Sequence, residues 1–145
     1  MANNRVNSSP LSAREGKVYL DGTLVADACK FTVTFKPDVW SGKQLGKKGT
    51  NRRWIGYDIE VVVEQWKTNN LYLQKIKEYI KSGTTPEFTI HGHQIDKNSE
   101  FYEANGNLEI TCTGCVPTGD IDLISCDTDG DVVKESITFG AYDVN

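Results

Sequence analysis

The sequence predicts a mainly β protein, an antiparallel β-barrel or sandwich with one flanking helix. Three observations carry that expectation. Segments 29–36 and 57–66 alternate apolar and polar residues with period two, as half-buried strands do. Asp21-Gly22 and the Thr128-Asp129-Gly130-Asp131 stretch carry hairpin-turn chemistry. One stretch, Leu71 to Lys81, places its apolar residues at helical spacing.

Taken in order, residues 1–14 are polar and read as a flexible arm that orders against a partner. The N-terminus lacks the apolar segment of a secretory signal. Lys17 to Ala26 flanks Asp21-Gly22 with apolar residues, a hairpin. In the next strand Cys29, Phe31, Val33 and Phe35 face one way, and Lys30, Thr32, Thr34 and Lys36 the other. Pro37 is expected to end it. A long inter-strand loop, about 37–56, follows. It holds Lys43, Lys47, Lys48, Arg52 and Arg53, is flanked by Trp40 and Trp54, and is punctuated by Gly42, Gly46, Gly49 and Gly56. Loops of that length in compact domains are uncommon and usually functional or disordered. Two tryptophans beside clustered cations suit a surface that packs against something.

The strand from Tyr57 to Trp66 has an apolar face of Tyr57, Ile59, Val61 and Val63. Its other face carries Asp58, Glu60 and Glu64, interrupted by Val62. Carboxylates in a row stay charged when well solvated and repel an anion. Thr68, Asn69 and Asn70 supply capping side chains for a helix at about 68–82. Tyr72, Leu73, Ile76, Tyr79 and Ile80 share its apolar side, and Gly83 with Pro86 stops it. Glu87 to His91 reads as a short strand and Asp96 to Gly106 as a mobile polar loop. Leu108 to Thr113, Gly119 to Cys126 and Val132 to Val144 read as three more strands. With no internal repeat, the pattern describes a single domain over 1–145.

Composition fits that class. Of 145 residues, 38% are hydrophobic and 25% charged, a globular balance. No apolar run approaches the roughly 18 residues of a membrane helix. Net charge is -4, but residues 1–56 carry +6 and residues 57–145 carry -10. Such asymmetry permits one copy's basic loop to meet another copy's acidic surface. That contact is heterologous, and heterologous contacts build rings or filaments.

Candidate chemistry is sparse. Cys112, Cys115 and Cys126, with His91 and His93, are residue types that ligate zinc. The second Cys-x-x-Cys is missing, and Cys112 sits in phase with Leu108 and Ile110 as a small core hydrophobe. Asp120, Asp122, Asp127, Asp129 and Asp131 have part of a calcium-loop spacing, but Glu135 falls too early for the twelve-residue pattern. No nucleophile or phosphate-loop motif is present, so nothing argues for an enzyme. The basic loop with Trp40 and Trp54 also suits nucleic-acid stacking, opposed by the acidic remainder of the chain. A small metal-binding or nucleic-acid-binding β-domain is therefore the alternative to a self-assembling structural protein.

The order of features resembles the phage tail tube proteins of the PBSX-prophage (XkdM-like) family. The resemblance rests on EGKVYLDGTLVADACKFTVTF, the Gly- and Lys-containing loop and the strand after it. It continues through YLQKIKEYIKSGTTPEFTI and ends on DIDLISCDTDGDVVKESITFGAYDV. It implies a structural subunit whose hexameric rings stack into the hollow tube of a contractile tail or R-type bacteriocin-like particle. The tube would conduct DNA in a phage or ions in a bacteriocin. The implied partners are other copies, a tail sheath, a baseplate or tube initiator and a tape measure protein, with no cofactor and no membrane. The subunit would be made in the bacterial host cytoplasm and reside in the virion or tail-like particle. By the same resemblance Trp40 to Gly56 is an inter-ring arm, and Asp58, Glu60 and Glu64 are candidates to line the lumen. The cysteines and histidines gain no role from it.

Overall fold

The computed structural model describes Arg14, residues 16–130 and residues 132–145. Apart from Arg14, the expected N-terminal arm lies outside the described residues, as does Asp131. Eight strands and two helices are described: β1 (Gly16–Leu20), β2 (Thr23–Leu24), β3 (Ala28–Lys43), β4 (Thr50–Trp66), α1 (Leu71–Ser82), β5 (Phe88–Gln94), α2 (Glu100–Asn105), β6 (Leu108–Pro117), β7 (Lys134–Ala141) and β8 (Asp143–Val144).

The strands form one antiparallel sheet in the order β2-β1-β5-β6-β7-β4-β3, with β8 also on β6. The sheet folds over at β6. Its earlier residues pair with β5, whereas Val116 and Pro117 pair with β7. The two halves enclose one core: Val18, Ile90 and Cys112 from one, Ile59, Val61, Val63, Ile137 and Phe139 from the other. Tyr72 of α1 reaches into it, 6.1 Å from Phe88 between ring centroids. The architecture is sandwich-like and does not close into a barrel. Between Gly16–Val18 and the outer edge of β3 lies a groove of about 940 Å³.

Local chemistry explains each element. Asp21 at φ 50° and Gly22 at φ 85° make the predicted tight turn. Asp21 Oδ1 also accepts the Thr89 N–H at 2.8 Å, tying that turn to β5. Asn69 Oδ1 accepts the first free N–H of α1, from Leu71, at 3.2 Å. Gly83, at φ 76°, donates its N–H to Tyr79 and ends the helix as expected.

Several expectations are corrected. Segment 37–56 is not a long loop. β3 and β4 stay paired from Ala28↔Gln65 out to Lys43↔Thr50, leaving a connection at 44–49. Gly46, at φ 76°, sits inside the turn closed by the Lys47 N–H on Gln44 O. Pro37 does not end β3, because β3 is an edge strand and an edge tolerates a missing N–H. Cys29 does not face the core. The register jumps from Ala28↔Gln65 to Lys30↔Glu64, so Cys29 is the extra residue of a bulge and is exposed.

The helix is not alone. Within the stretch read as a mobile loop, Ser99 Oγ accepts the Tyr102 N–H at 3.2 Å and starts α2. The apolar side of α1 is only partly used: Tyr72 is buried, but Tyr79 and Ile80 are 50% and 74% exposed. Gly119 to Cys126 forms no strand. β6 pairs with β7 only at Phe139 and Gly140, and after the Thr118 and Gly119 N–H groups reach Thr138 O the chain leaves that edge. Val132 to Val144 divides into β7 and β8.

Candidate assembly interface

The β3–β4 hairpin is longer than the sheet that supports it. β4 pairs with β7 only over Ile59–Trp66. Residues 50–58 have β3 alone for a neighbour, so at about 3.3 Å per residue the ribbon projects roughly 30 Å beyond β7. Such a two-stranded projection gains little from the core, and a lone hairpin is marginal in water. It is braced by its own aromatics. Phe35 lies 5.2 Å from Trp54 and 5.6 Å from Tyr57 between ring centroids. A bulge makes this possible. Asp38 pairs with Gly56 and Val39 with Trp54, so Ile55 is the extra residue. It resets the alternation and turns Trp54 toward Phe35 rather than toward the side of Asp58. Trp40 uses another device. A Cβ on Gly42 would lie 2.7 Å from the Trp40 ring, so the glycine makes room for the indole.

All seven expected interface residues are brought together here. Lys43, Lys47, Lys48, Arg52 and Arg53 are all exposed on the ribbon. With them are Trp40 at 52%, Trp54 at 66%, Ile55 at 62% and Leu45 fully exposed. Apolar side chains left in water beside cations suit a surface that another molecule covers. Leu45 and Ile55 were not singled out in the sequence. Their signal was available, as apolar residues inside a cationic segment.

Asp58, Glu60 and Glu64 share the face of β4 opposite Ile59, Val61 and Val63. That face is less uniformly acidic than β4 alone suggests. Lys36 sits across from Asp58, and Lys30 across from Glu64. Lys36 Nζ lies 2.5 Å from Glu60 Oε2 in an exposed pair. The hydrogen bond to Glu60, with the charge of that carboxylate, holds the Lys36 ammonium above its usual pKa. The result is a mixed, solvated strip of alternating sign, with Thr32, Thr34 and Val62 between the charges.

The weak metal candidates are not assembled. Cys112 and Cys115 are both fully buried in the core. Residues three apart on a strand normally face opposite ways. Here Gly114, at φ 63°, and the jump from Ile90↔Cys112 to Phe88↔Cys115 put both thiols on the inner side. The hydrogen bond with Cys112, and then burial, push the Cys115 thiol up. His91 and His93 lie on the outer side of the same half beside Tyr19, His93 stacked on its ring at 5.8 Å and His91 tilted against it at 5.9 Å. Cys126 is exposed on a loop. Among the described residues no group of three or more His, Cys, Asp or Glu side chains is placed to hold a metal ion. Asp127 and Asp129 instead shape a turn, with the Asp129 N–H on Asp127 Oδ1 at 3.0 Å.

A polar cluster at the far end of β4 was missed. Gln65 is buried at 5% exposure and donates to Glu135 Oε2 at 3.4 Å. Lys67 Nζ lies 3.5 Å from the other oxygen of Glu135, itself 8% exposed. Period two was the signal, since Gln65 is in phase with Val63 and Glu135 with Ile137. Burial first, and the Glu135 charge second, raise the Tyr72 hydroxyl to a pKa of about 12.

The family described as "Phage tail tube protein" matches residues 4–145 of the chain. Two curated relatives are both from Bacillus subtilis (strain 168). "Phage-like element PBSX protein XkdM" is 23% identical over 136 residues, 92% of this chain and 89% of the relative. "Uncharacterized protein YqbM" is 22% identical over the same shares. Among solved structures, a chain of the six-fold symmetrised anti-feeding prophage baseplate superposes with a TM-score of 0.60 at 11% identity, covering 100% of this chain and 96% of that one. A chain of the native gene transfer agent virion gives 0.56 at 11% identity, covering 92% and 95%.

Proposed function

This chain belongs to the phage tail tube protein family, and from that premise we propose that it self-assembles into stacked hexameric rings forming the hollow inner tube of a contractile tail or tail-like particle. One observation supports this most. The β3–β4 ribbon projects past its own sheet while exposing Trp40, Leu45, Trp54 and Ile55 among five cations. An element of that shape gains its burial from a neighbouring copy. The role is structural, with no catalysis, and the chain resides in the assembled particle.

Within the ring, the strip of Asp58, Glu60 and Glu64 faces the lumen. Solvated charge there offers no sticky surface to DNA in a phage or to ions in a bacteriocin-like particle. Lys36 and Lys30 moderate the repulsion among the carboxylates without creating a cationic track. α1 exposes Lys77 and Lys81, with Lys75 half-exposed, on its polar side and Tyr79 and Ile80 on its apolar side, surface suited to a tail sheath. A baseplate initiator and a tape measure protein complete the partner set.

Negative-stain electron microscopy across protein concentration and salt tests the reading. Rings or long hollow tubes are expected. Particles of single-domain size under every condition, with no growth on addition of preformed tube ends, would count against it.

A further inference from the structure

Resting on the tube-subunit reading, we propose that the foot of β4 is the acceptor for the β3–β4 ribbon of a second copy of this chain. The foot is built where β4 ends and β7 begins. The Lys67 N–H donates to Val133 O at 2.8 Å, and Lys67 Nζ donates to Leu123 O at 3.0 Å. The second of these bonds holds loop 118–130 against the strand end. Apolar side chains are left uncovered on this end: Ile124 at 82%, Val132 at 66%, Trp66 at 49% and Leu123 at 45%. Asp120, Asp122, Asp127 and Asp129 lie on the same loop as Leu123 and Ile124, all exposed. Lys67 is engaged by Glu135, and Lys134 is exposed, so carboxylates are in surplus on this surface.

The ribbon is its complement in both respects. Over residues 36–58 it offers exposed indoles and aliphatics together with six cations and two carboxylates, Asp38 and Asp58. Matched apolar area with opposite charge gives attraction and fixes register. The two surfaces sit at opposite ends of one strand. The stretch of β4 that pairs with β7, Ile59–Trp66, is roughly 26 Å long at about 3.3 Å per residue, so one chain's ribbon does not reach its own foot. For Arg52 of one copy to lie at the foot of the next, the copies are displaced along β4 by the fourteen residues from Arg52 to Trp66, roughly 46 Å at about 3.3 Å per residue. Copies in one orientation can repeat the contact indefinitely, as a heterologous interface requires.

Charge reversal tests the pairing, read as the pelleted fraction in ultracentrifugation. Asp127 shapes its turn, so the foot variant is Asp120→Lys with Asp122→Lys. The ribbon variant is Arg52→Glu with Arg53→Glu. Each pair is expected to lower pelleting on the order of tenfold or more, because like charges then meet. A 1:1 mixture of the two variants should pellet, since each supplies the complement the other lost. Melting curves of the separate chains should match the parent. Normal pelleting by either variant alone overturns the inference, as does a mixture no more associated than its components. A parent chain that never pellets is a failure of the tube reading instead. Docking is then judged on the soluble mixture by sedimentation velocity, where association above that of either variant supports it and its absence overturns it.

Discussion

The Phe31 ring of β3 lies against the backbone of Gly92 on β5 and fills the space a side chain would take there. A Cβ built on Gly92 would be 2.2 Å from Phe31 Cε1 and 2.8 Å from its Cζ. This contact spans the open seam of the sandwich, where no hydrogen-bond ladder joins the two halves among the described residues.

Gly92→Ala therefore overpacks the seam. We expect a loss of about 1–3 kcal/mol, seen as a lower midpoint in urea denaturation. Phe31→Leu should cost less in the Gly92→Ala background than alone, because the leucine yields space to the new methyl group. Additive losses would show that the two residues are not coupled.

The alkaline limit of stability should reflect Tyr72. Its folded pKa is raised to about 12 by burial and by Glu135, against 10.0 for the free group. Between those values the unfolded chain releases the proton while the folded chain keeps it. Stability is thus full below pH 10 and falls as pH rises toward about 12, by roughly 2–3 kcal/mol in all. Tyr72→Phe removes that titration. Urea midpoints for the variant should lose less between pH 9 and about 11.5 than those of the parent.

The four thiols should divide by exposure. Cys29 and Cys126 are exposed, whereas Cys112 and Cys115 are buried. A chromogenic disulfide reagent should titrate two thiols rapidly in the native protein and two more only after denaturant is added. Rapid reaction of all four would mean that the core around Gly114 opens readily.

Asp21 offers a sharper local test. Its backbone N–H donates to Thr89 O at 2.8 Å and its carboxylate accepts the Thr89 N–H at 2.8 Å. Asp21→Ala loses the carboxylate bond and leaves a β-carbon at φ 50° without the side-chain hydrogen bonding that favours Asp there. A cost of about 1–3 kcal/mol is expected. Asp21→Asn keeps both an acceptor and a tolerance for that φ, so it should recover most of the loss.

Much of the architecture was legible because it depends on local periodicity. Val61 and Val63, Ile137 and Phe139, and the Asp21-Gly22 turn all announce themselves by spacing. What was not legible depends on register. Cys29 and Ile55 are extra residues in the β3–β4 ladder, and no spacing along one strand reveals where its partner skips. The same applies to Gly114, which brings two thiols to one face. The ribbon was read as a loop because its glycines, Pro37 and clustered cations all disfavour a central strand. None of them disfavours an edge. The residues expected at an interface nonetheless lie together and exposed on the ribbon, since tryptophans beside cations are conspicuous in either conformation.

Trp54 separates folding from assembly. Its ring is 66% exposed and rests on Phe35 at 5.2 Å. Trp54→Ala should therefore cost the isolated chain no more than about 1.5 kcal/mol, the scale of one aromatic pair. If the ribbon is covered by a neighbouring copy, the same indole is an anchor at an interface, where tryptophan truncation often costs 2 kcal/mol or more per contact, on the order of tens of fold. Each copy in a tube repeats that contact, so the losses multiply along the assembly. A variant that melts close to the parent yet forms no tubes by electron microscopy is the expected outcome. Tubes of normal length and number would mean that the ribbon's indole is not at a subunit contact.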